Sequence, residues 1–225
     1  MITFACLSPH APIFLPEVGS PEDRELVKNT ITSLKSLGAK LKKAKPEIII
    51  ISSPHTDWGI NVPLYFLDPP ASFKVVDHQT PDEIIIDPTR KSIIYPIITT
   101  LDSPQQHYQW GQTLYNDLLK NCALNIALVG SGDMSHCLKI DGPYGFYPDG
   151  PKYDQALAEA LKKKDIATIW QLDELYPEAG ECGLRSFAFI LGILETAGLN
   201  YQPQILSYEG PFGVGYLVAN IKINH

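Results

Sequence analysis

Short apolar runs alternate with amphipathic segments along the chain. The run at residues 47–52 is β-branched and too uniformly apolar for a sheet edge, which predicts a central strand buried on both faces. The runs at 2–7 and 125–130 predict two more strands, since proline or glycine follows each of them closely. Further strands are predicted at residues 61–67, 83–86, 202–208 and 215–223.

Segments with apolar residues at helical spacing separate these runs. Ser20, followed by Pro21 and Asp23, is a helix start, and apolar residues recur at helical spacing as far as Leu41. Other helices are predicted from Asp87 through Ile97 and at residues 111–121, 153–164, 165–172 and 182–197. Since no solenoid repeat or low-complexity linker interrupts this order, residues 1–225 are expected to form a single α/β domain, with three α/β/α layers around a mostly buried mixed sheet.

Composition and charge narrow the classes of function. The net charge of -7 argues against a nucleic-acid or anionic-membrane partner, because those partners select for basic surfaces. The chain has no run of about 18 apolar residues, so no transmembrane helix is expected. Its first ten residues lack a basic segment and become polar quickly, which indicates a first strand rather than a signal peptide. The four cysteines form no CxxC pair, and a reduced, cytoplasmic setting fits best.

Three histidines follow directly on predicted strands. The tripeptides Ser8-Pro9-His10 and Ser53-Pro54-His55 each follow a strand, and His136 follows the glycine-containing segment after residue 129. In open α/β sheets, ligands gather beyond the carboxyl ends of the strands, so the three imidazoles are expected at one edge of the sheet. Rigid proline turns would hold two of them in the defined geometry that a metal site needs.

A metal site on His10 and His55 needs a further ligand. Two neutral imidazoles and one carboxylate form the facial arrangement typical of non-haem Fe(II), and the same donors suit Zn(II). Glu181 lies between Gly180 and Gly183 at the mouth of a predicted helix, where it is either a ligand or an ordinary carboxylate favoured by the helix dipole. The other carboxylates that could serve are Glu178, Asp57 and Asp133.

Six segments carry a resemblance to a known family. They are Ser8-Pro9-His10-Ala11-Pro12, Ser53-Pro54-His55, Gly132-Asp133-Met134-Ser135-His136, Asp141-Gly142-Pro143-Tyr144-Gly145-Phe146, Glu181-Cys182-Gly183-Leu184-Arg185-Ser186 and Gly210-Pro211-Phe212-Gly213-Val214-Gly215-Tyr216. With these segments, in this order and across nearly the whole chain, the protein resembles the catalytic subunits of class III extradiol ring-cleaving dioxygenases. This LigB-type superfamily also contains the MEMO proteins.

The resemblance implies roles for the strand-end residues. His10 and His55 would bind Fe(II), His136 would be the catalytic acid/base, and the carboxylate ligand would fall on or near Glu181. MEMO-like members place a cysteine in that neighbourhood, and this chain has Cys182 directly after Glu181. If Cys182 took the ligand position, oxygenase activity would be in question.

A second group of residues is expected to contact the substrate. Asp133 would orient His136 or its loop. Arg185 would meet a substrate carboxylate or pair with Glu181 or Asp133. Tyr144, Phe146 and Tyr147 would form an aromatic wall for a planar ring, or else anchor their loop. Pro12, next to the first Ser-Pro-His turn, completes the predicted set of substrate-binding residues, which is Pro12, Asp133, Tyr144, Phe146 and Arg185.

The function that this resemblance implies is ring opening of a catechol-like or aminophenol-like substrate with O2, in a protein that self-associates. Two other functions stay open: a MEMO-like protein that uses the same pocket for binding or redox work, and a zinc-dependent hydrolase. The remaining histidines, His78, His107 and His225, have no motif around them and are expected at surface or loop positions. Cys137 is a poor candidate for a nucleophile, because adjacent strand-end side chains point apart.

Overall fold

The computed structural model describes residues 1–68 and 92–224. Six strands form one mixed sheet in the order β3-β2-β4-β1-β6-β5, which confirms the predicted α/β class with a mixed sheet. Their bounds are β1 Ile2–Ser8, β2 Ile48–Ser53, β3 Ile93–Ile98, β4 Ile126–Ser131, β5 Tyr201–Glu209 and β6 Tyr216–Ile223.

The helices cover both faces of this sheet. Their bounds are α1 Pro21–Leu26, α2 Lys28–Ala44, α3 Trp58–Leu67, α4 Pro104–Leu114, α5 Asp149–Lys163, α6 Ile166–Leu175 and α7 Leu184–Thr196, with a 3₁₀ turn at Pro12–Phe14 and a π-helical turn at Tyr115–Leu119. Within residues 1–68 and 92–224, none of the helices has the length and apolar character needed to span a bilayer.

Side chains of each central strand alternate between two cores. In β1, Ala5 and Leu7 join the core beneath α5, α6 and α7, whereas Phe4 and Cys6 join the core beneath α2 and α3. The same alternation separates Ile50 from its neighbours in β2. This double burial explains why the strands appear as continuous apolar runs in the sequence.

The parallel arrangement brings three strand ends to one edge. β4 pairs in parallel with β1 on one side and with β2 on the other, and Ser8 lies opposite Ser131 while Ser52 lies opposite Gly130. The loops after β1, β2 and β4 therefore start at the same level of the sheet. These are the loops that carry the three strand-end histidines.

Several predictions about individual elements were wrong. Residues 61–67 were predicted as a strand but belong to α3, since a short run that is buried nearly all round has no diagnostic period. The helix predicted to run through Ile97 is, from Ile93 onward, strand β3, which pairs with β2. The strand at 83–86, the helix start at Asp87, and His78 and His225 lie outside the described residues.

Two further predictions are refined or corrected. The helix predicted from Ser20 to Leu41 divides into α1 and α2 at Val27, although Ser20 and Asp23 form the expected capping box. His107, predicted at the surface or in a loop, is fully buried in α4. Its Nε2 accepts a hydrogen bond from the Thr100 N–H at 3.1 Å, which gives it a structural role in the α4 region.

Candidate metal centre

The first Ser-Pro-His turn buries its histidine. His10 is 2% exposed, and its backbone N–H donates to Asp133 Oδ1 at 3.0 Å. Its ring Nδ1 lies 3.1 Å from Ser131 Oγ, at the end of β4. Burial lowers the pKa of the His10 imidazole well below its ordinary value, and the nearby His55 and His136 rings act in the same direction. His10 is therefore a neutral imidazole at pH 7, the form that binds metals.

The second turn holds its histidine more openly. The His55 N–H donates to Ser53 Oγ at 3.1 Å, and the ring is only partly buried. The ring centroids of His55 and His10 lie 5.1 Å apart, and those of His55 and Trp58 lie 6.0 Å apart. Burial lowers the pKa of His55, and the carboxylate of Asp57 opposes this shift. The two Ser-Pro-His turns thus bring two neutral imidazoles together.

Cys182 completes a group of three donors. Its Sγ lies 3.5 Å from His10 Nε2, and the ligand atoms of His10, His55 and Cys182 all lie within 4.8 Å of one another. The Asp133 N–H donates to the same sulfur at 3.3 Å. Burial holds the pKa of the free thiol well above its ordinary value, but a bound metal ion deprotonates a coordinating thiol. Two imidazoles and one thiolate fit a divalent transition metal such as Fe(II) or Zn(II).

Glu181, the carboxylate predicted as the third ligand, is engaged elsewhere. One carboxylate oxygen accepts a hydrogen bond from the Leu184 N–H at 2.6 Å, and the other accepts from Arg185 Nη1 at 3.1 Å. Burial raises its pKa, while these two donors lower it. No group of three ligand atoms within 4.8 Å includes Glu181 in the described part of the chain. The side chain caps the start of α7, and its neighbour Cys182 lies where a ligand was expected.

Asp133 and His136 lie near the same sulfur, and Asp133 Oδ2 is also 3.9 Å from His10 Nε2. Their ligand atoms and Cys182 Sγ also fall within 4.8 Å of one another. Burial raises the pKa of Asp133 to about 7, and the His10 N–H opposes the shift. Burial lowers the pKa of His136, so its imidazole is neutral at pH 7 and can accept a proton. The Tyr144 ring meets the His136 ring edge to face, with centroids 5.3 Å apart.

A cavity of about 410 Å³ opens next to these groups. Its lining consists of His55, His136, Cys137, Tyr144, Tyr147, Glu178, Ala179, Gly180 and Cys182. Of the five predicted substrate-binding residues, Tyr144 lines the cavity, whereas the other four are not part of its lining: Pro12, Asp133, Phe146 and Arg185. Arg185 instead donates to Glu181 and, through Nη2, to Asp173 at 3.4 Å. Its guanidinium is thus occupied by acidic side chains, one of the two roles considered for it.

Sequence reasoning missed two residues of this site. Ser131 was read only as part of the loop leading to His136, although its strand-end position, level with Ser8, placed it near His10. Cys137 was considered only as a nucleophile; it lines the cavity, and its thiol lies 3.1 Å from the Glu178 carbonyl oxygen. The register of β1 and β4 is the signal that could have identified Ser131. In this register the last residues of the two strands, Ser8 and Ser131, lie opposite each other, so the loop that carries His10 starts beside Ser131.

The structure thus shows a mixed α/β fold in which two histidines and one cysteine lie close together, and sequence comparison gives the family. Residues 53–219 match the family described as the catalytic LigB subunit of aromatic ring-opening dioxygenase. The chain belongs to this family. The matched region includes His55, His136 and Cys182, and it begins after the turn that carries His10.

The chain is also similar to one protein in sequence and to another in structure. Protein CA_C1420 of Clostridium acetobutylicum is 30% identical to this chain over an alignment 270 residues long. The alignment covers 96% of this chain and 56% of that protein. The chain therefore spans about half the length of this relative. The crystal structure of an uncharacterized protein, JW3007, from Escherichia coli K12 aligns with a TM-score of 0.54 at 15% identity. That alignment covers 98% of this chain and 100% of the other, and it shows a shared fold.

Proposed function

We propose that this chain is a metal-dependent dioxygenase that opens a small aromatic ring with O2 and holds its metal with His10, His55 and Cys182. The observation that carries the proposal is the convergence of these three ligand atoms next to a cavity that His136 also lines. Membership of the ring-opening dioxygenase family supports it. When bound, Fe(II) would supply the redox-active centre that a reaction between an aromatic ring and O2 requires.

His136 is the residue best placed to move a proton. Its neutral imidazole lines the cavity, so it can accept the proton that a ring hydroxyl loses and return it later in the reaction. Tyr144 and Tyr147 add aromatic faces to the cavity, against which a planar ring can pack. The cavity thus combines a proton acceptor with walls suited to an aromatic substrate.

The lining also bears on the substrate. No lysine or arginine is among the described residues that line the cavity, and the acidic residue in the lining is Glu178. A substrate carboxylate would therefore find no lysine or arginine side chain to pair with there. The proposal favours an uncharged catechol or an aminophenol over a ring that carries a carboxylate.

Cys182 also favours a second candidate function. A thiolate carries the same single negative charge as a carboxylate, so a divalent ion would keep the same net charge in either site. The thiolate is, however, a softer donor than a carboxylate, and it suits Zn(II) at least as well as Fe(II). The second candidate is therefore a family member that uses this pocket without oxygenating a ring, either for binding or redox work or as a zinc-dependent hydrolase.

Metal reconstitution under anaerobic conditions separates these functions. Metal-free protein is loaded with Fe(II) or Zn(II) and exposed to O2 with catechol, 2-aminophenol and a carboxylated catechol. We expect O2 uptake and a ring-opened product with Fe(II) only, with the carboxylated ring the poorest substrate. The His136→Gln variant should bind the same amount of iron but turn over about 10²–10⁴-fold more slowly.

The contrary outcomes are equally specific. Iron-loaded protein that consumes no O2 with any of these rings would contradict the dioxygenase proposal. Hydrolysis of ester or amide substrates by the zinc-loaded protein, lost in His136→Gln, would then support the hydrolase. Binding of metal without either activity would support a binding or redox role for the pocket.

A further inference from the structure

A proline inside α3 leaves one backbone carbonyl of that helix without its usual donor. Pro63 has no N–H, so the Gly59 carbonyl, four residues earlier, lacks the intrahelical hydrogen bond. The Ser131 hydroxyl supplies the missing donor, with Oγ 2.5 Å from the Gly59 oxygen. Both residues are buried, so the carbonyl would otherwise be left unsatisfied.

This contact fixes the direction of the next hydrogen bond. A carbonyl oxygen can only accept, so the single hydroxyl proton of Ser131 points towards Gly59. The Ser131 oxygen can then only accept from the His10 ring, whose Nδ1 lies 3.1 Å away. The proton of the neutral His10 imidazole therefore resides on Nδ1. Nε2 keeps its lone pair, and this is the nitrogen 3.5 Å from Cys182 Sγ.

We infer that Ser131 is a positioning residue for the metal centre, which sets the tautomer of His10 so that Nε2 is the metal-binding nitrogen. The inference rests on the metal site of the proposed function. Buried hydrogen-bond partners of metal-binding histidines commonly fix the ring tautomer and orientation in this way, and their loss weakens metal binding about 10–100-fold. Here the partner is itself held by a helix carbonyl that Pro63 leaves free.

The second histidine has no comparable support. In residues 1–68 and 92–224, the His55 ring nitrogens have no hydrogen-bond partner; the turn is held by the backbone contact to Ser53 Oγ. Only one of the two imidazoles is therefore fixed before a metal binds. The matching control for Ser131 is Ser52, a fully buried serine of β2 whose hydroxyl has no hydrogen-bond partner among the described residues.

Two measurements test the inference. The affinity of Ser131→Ala, Ser131→Thr and Ser52→Ala for Zn(II) is measured by competition with a chromophoric chelator. We expect Ser131→Ala to weaken binding about 10–100-fold, Ser131→Thr to retain most of the affinity because it keeps the hydroxyl, and Ser52→Ala to change it less than twofold. Unchanged affinity in Ser131→Ala, or an equal loss in Ser52→Ala, would overturn the inference.

The second measurement needs neither metal nor turnover. Nitrogen-15 NMR of metal-free protein reports which ring nitrogen of His10 carries the proton. We expect the Nδ1–H tautomer in the wild-type protein and a mixture in Ser131→Ala, and an Nε2–H tautomer in the wild type would overturn the inference. A protein that bound metal with this tautomer but opened no ring would contradict the proposed activity alone, leaving the role of Ser131 supported.

Discussion

The two Ser-Pro-His turns have identical sequences but opposite environments. His10 is buried; its ring contacts Ser131, the last residue of β4, and its backbone N–H donates to Asp133, which follows β4. His55 is only partly buried, lines the cavity and is tied to its own turn through Ser53. The serines differ as well, because Ser8 Oγ donates to the Pro9 carbonyl oxygen, whereas Ser53 Oγ accepts from the His55 N–H.

Strand position accounts for the difference. β1 lies between β4 and β6 near the centre of the sheet, so its loop is enclosed by neighbouring loops. β2 has the edge strand β3 on one side, and His55 in the loop after β2 lines the cavity. The comparison teaches that a repeated motif can supply two ligands with separate tasks. In the proposed metal site, His10 would be an anchor that is fixed in advance, and His55 would be a ligand that can adjust as a metal or substrate binds.

The largest expected contrast is in stability. Replacing either histidine by alanine should abolish tight metal binding, but only His10→Ala should strongly destabilise the metal-free fold. It leaves a buried space and removes the partner of Ser131, which we expect to lower the free energy of unfolding by about 2–3 kcal/mol. His55→Ala should cost less than about 1 kcal/mol, because the ring is partly exposed and has no hydrogen-bond partner among the described residues. Urea denaturation of both variants measures the difference, and equal losses would contradict it.

Glycine substitutions offer an intermediate contrast. A Cβ at Gly132 would lie 2.1 Å from the Gly183 Cα, so the backbone that carries Cys182 must move. A Cβ at Gly59 would lie 2.1 Å from Ser53 Oγ and 2.9 Å from the His55 Cβ, and the hydroxyl can rotate away. Gly132→Ala should therefore cost about 3 kcal/mol and Gly59→Ala about 1–2 kcal/mol. Urea denaturation and zinc affinity of both variants measure these losses. A larger loss in Gly59→Ala than in Gly132→Ala would contradict the prediction.

The serines of the two turns give the smallest contrast. Ser53→Ala removes the acceptor that orders the His55 turn, so zinc affinity should fall about 3–10-fold. Ser8→Ala should change the affinity less than about twofold, because Asp133 and Ser131 hold His10 independently. Chelator competition measures both variants. A larger loss in Ser8→Ala than in Ser53→Ala would show that the first turn is not anchored in advance.

Much of the fold follows from local patterns in the sequence. The β-branched run at β2 predicts a strand because both its faces are buried, and a strand-end position is enough to bring His10, His55 and His136 to one edge. The prediction fails for α3 and β3. Both are short apolar segments, and tertiary packing decides whether each forms a helix or a strand. Periodicity holds no information about which of these two structures such a segment adopts.

The identity of the third donor was beyond local pattern for a different reason. Glu181 and Cys182 are adjacent in a loop, so the local backbone conformation decides which of the two side chains faces His10. Two sets of contacts fix that conformation. The Leu184 N–H and Arg185 donate to the Glu181 carboxylate, and the Asp133 N–H donates to the Cys182 sulfur. These partners are distant in sequence or depend on the start of α7, so only the folded structure reveals them.

The central claim is that Cys182, rather than Glu181, joins the two histidines at the metal. Its most direct test is the near-ultraviolet absorption of the protein loaded with Co(II), since a thiolate ligand gives a charge-transfer band that a carboxylate does not. We expect the band in the wild-type protein and in Glu181→Gln, and we expect Cys182→Ser to lack it. A wild-type protein that binds Co(II) without the band, or a Glu181→Gln variant that no longer binds Co(II) while Cys182→Ser still does, would contradict the claim.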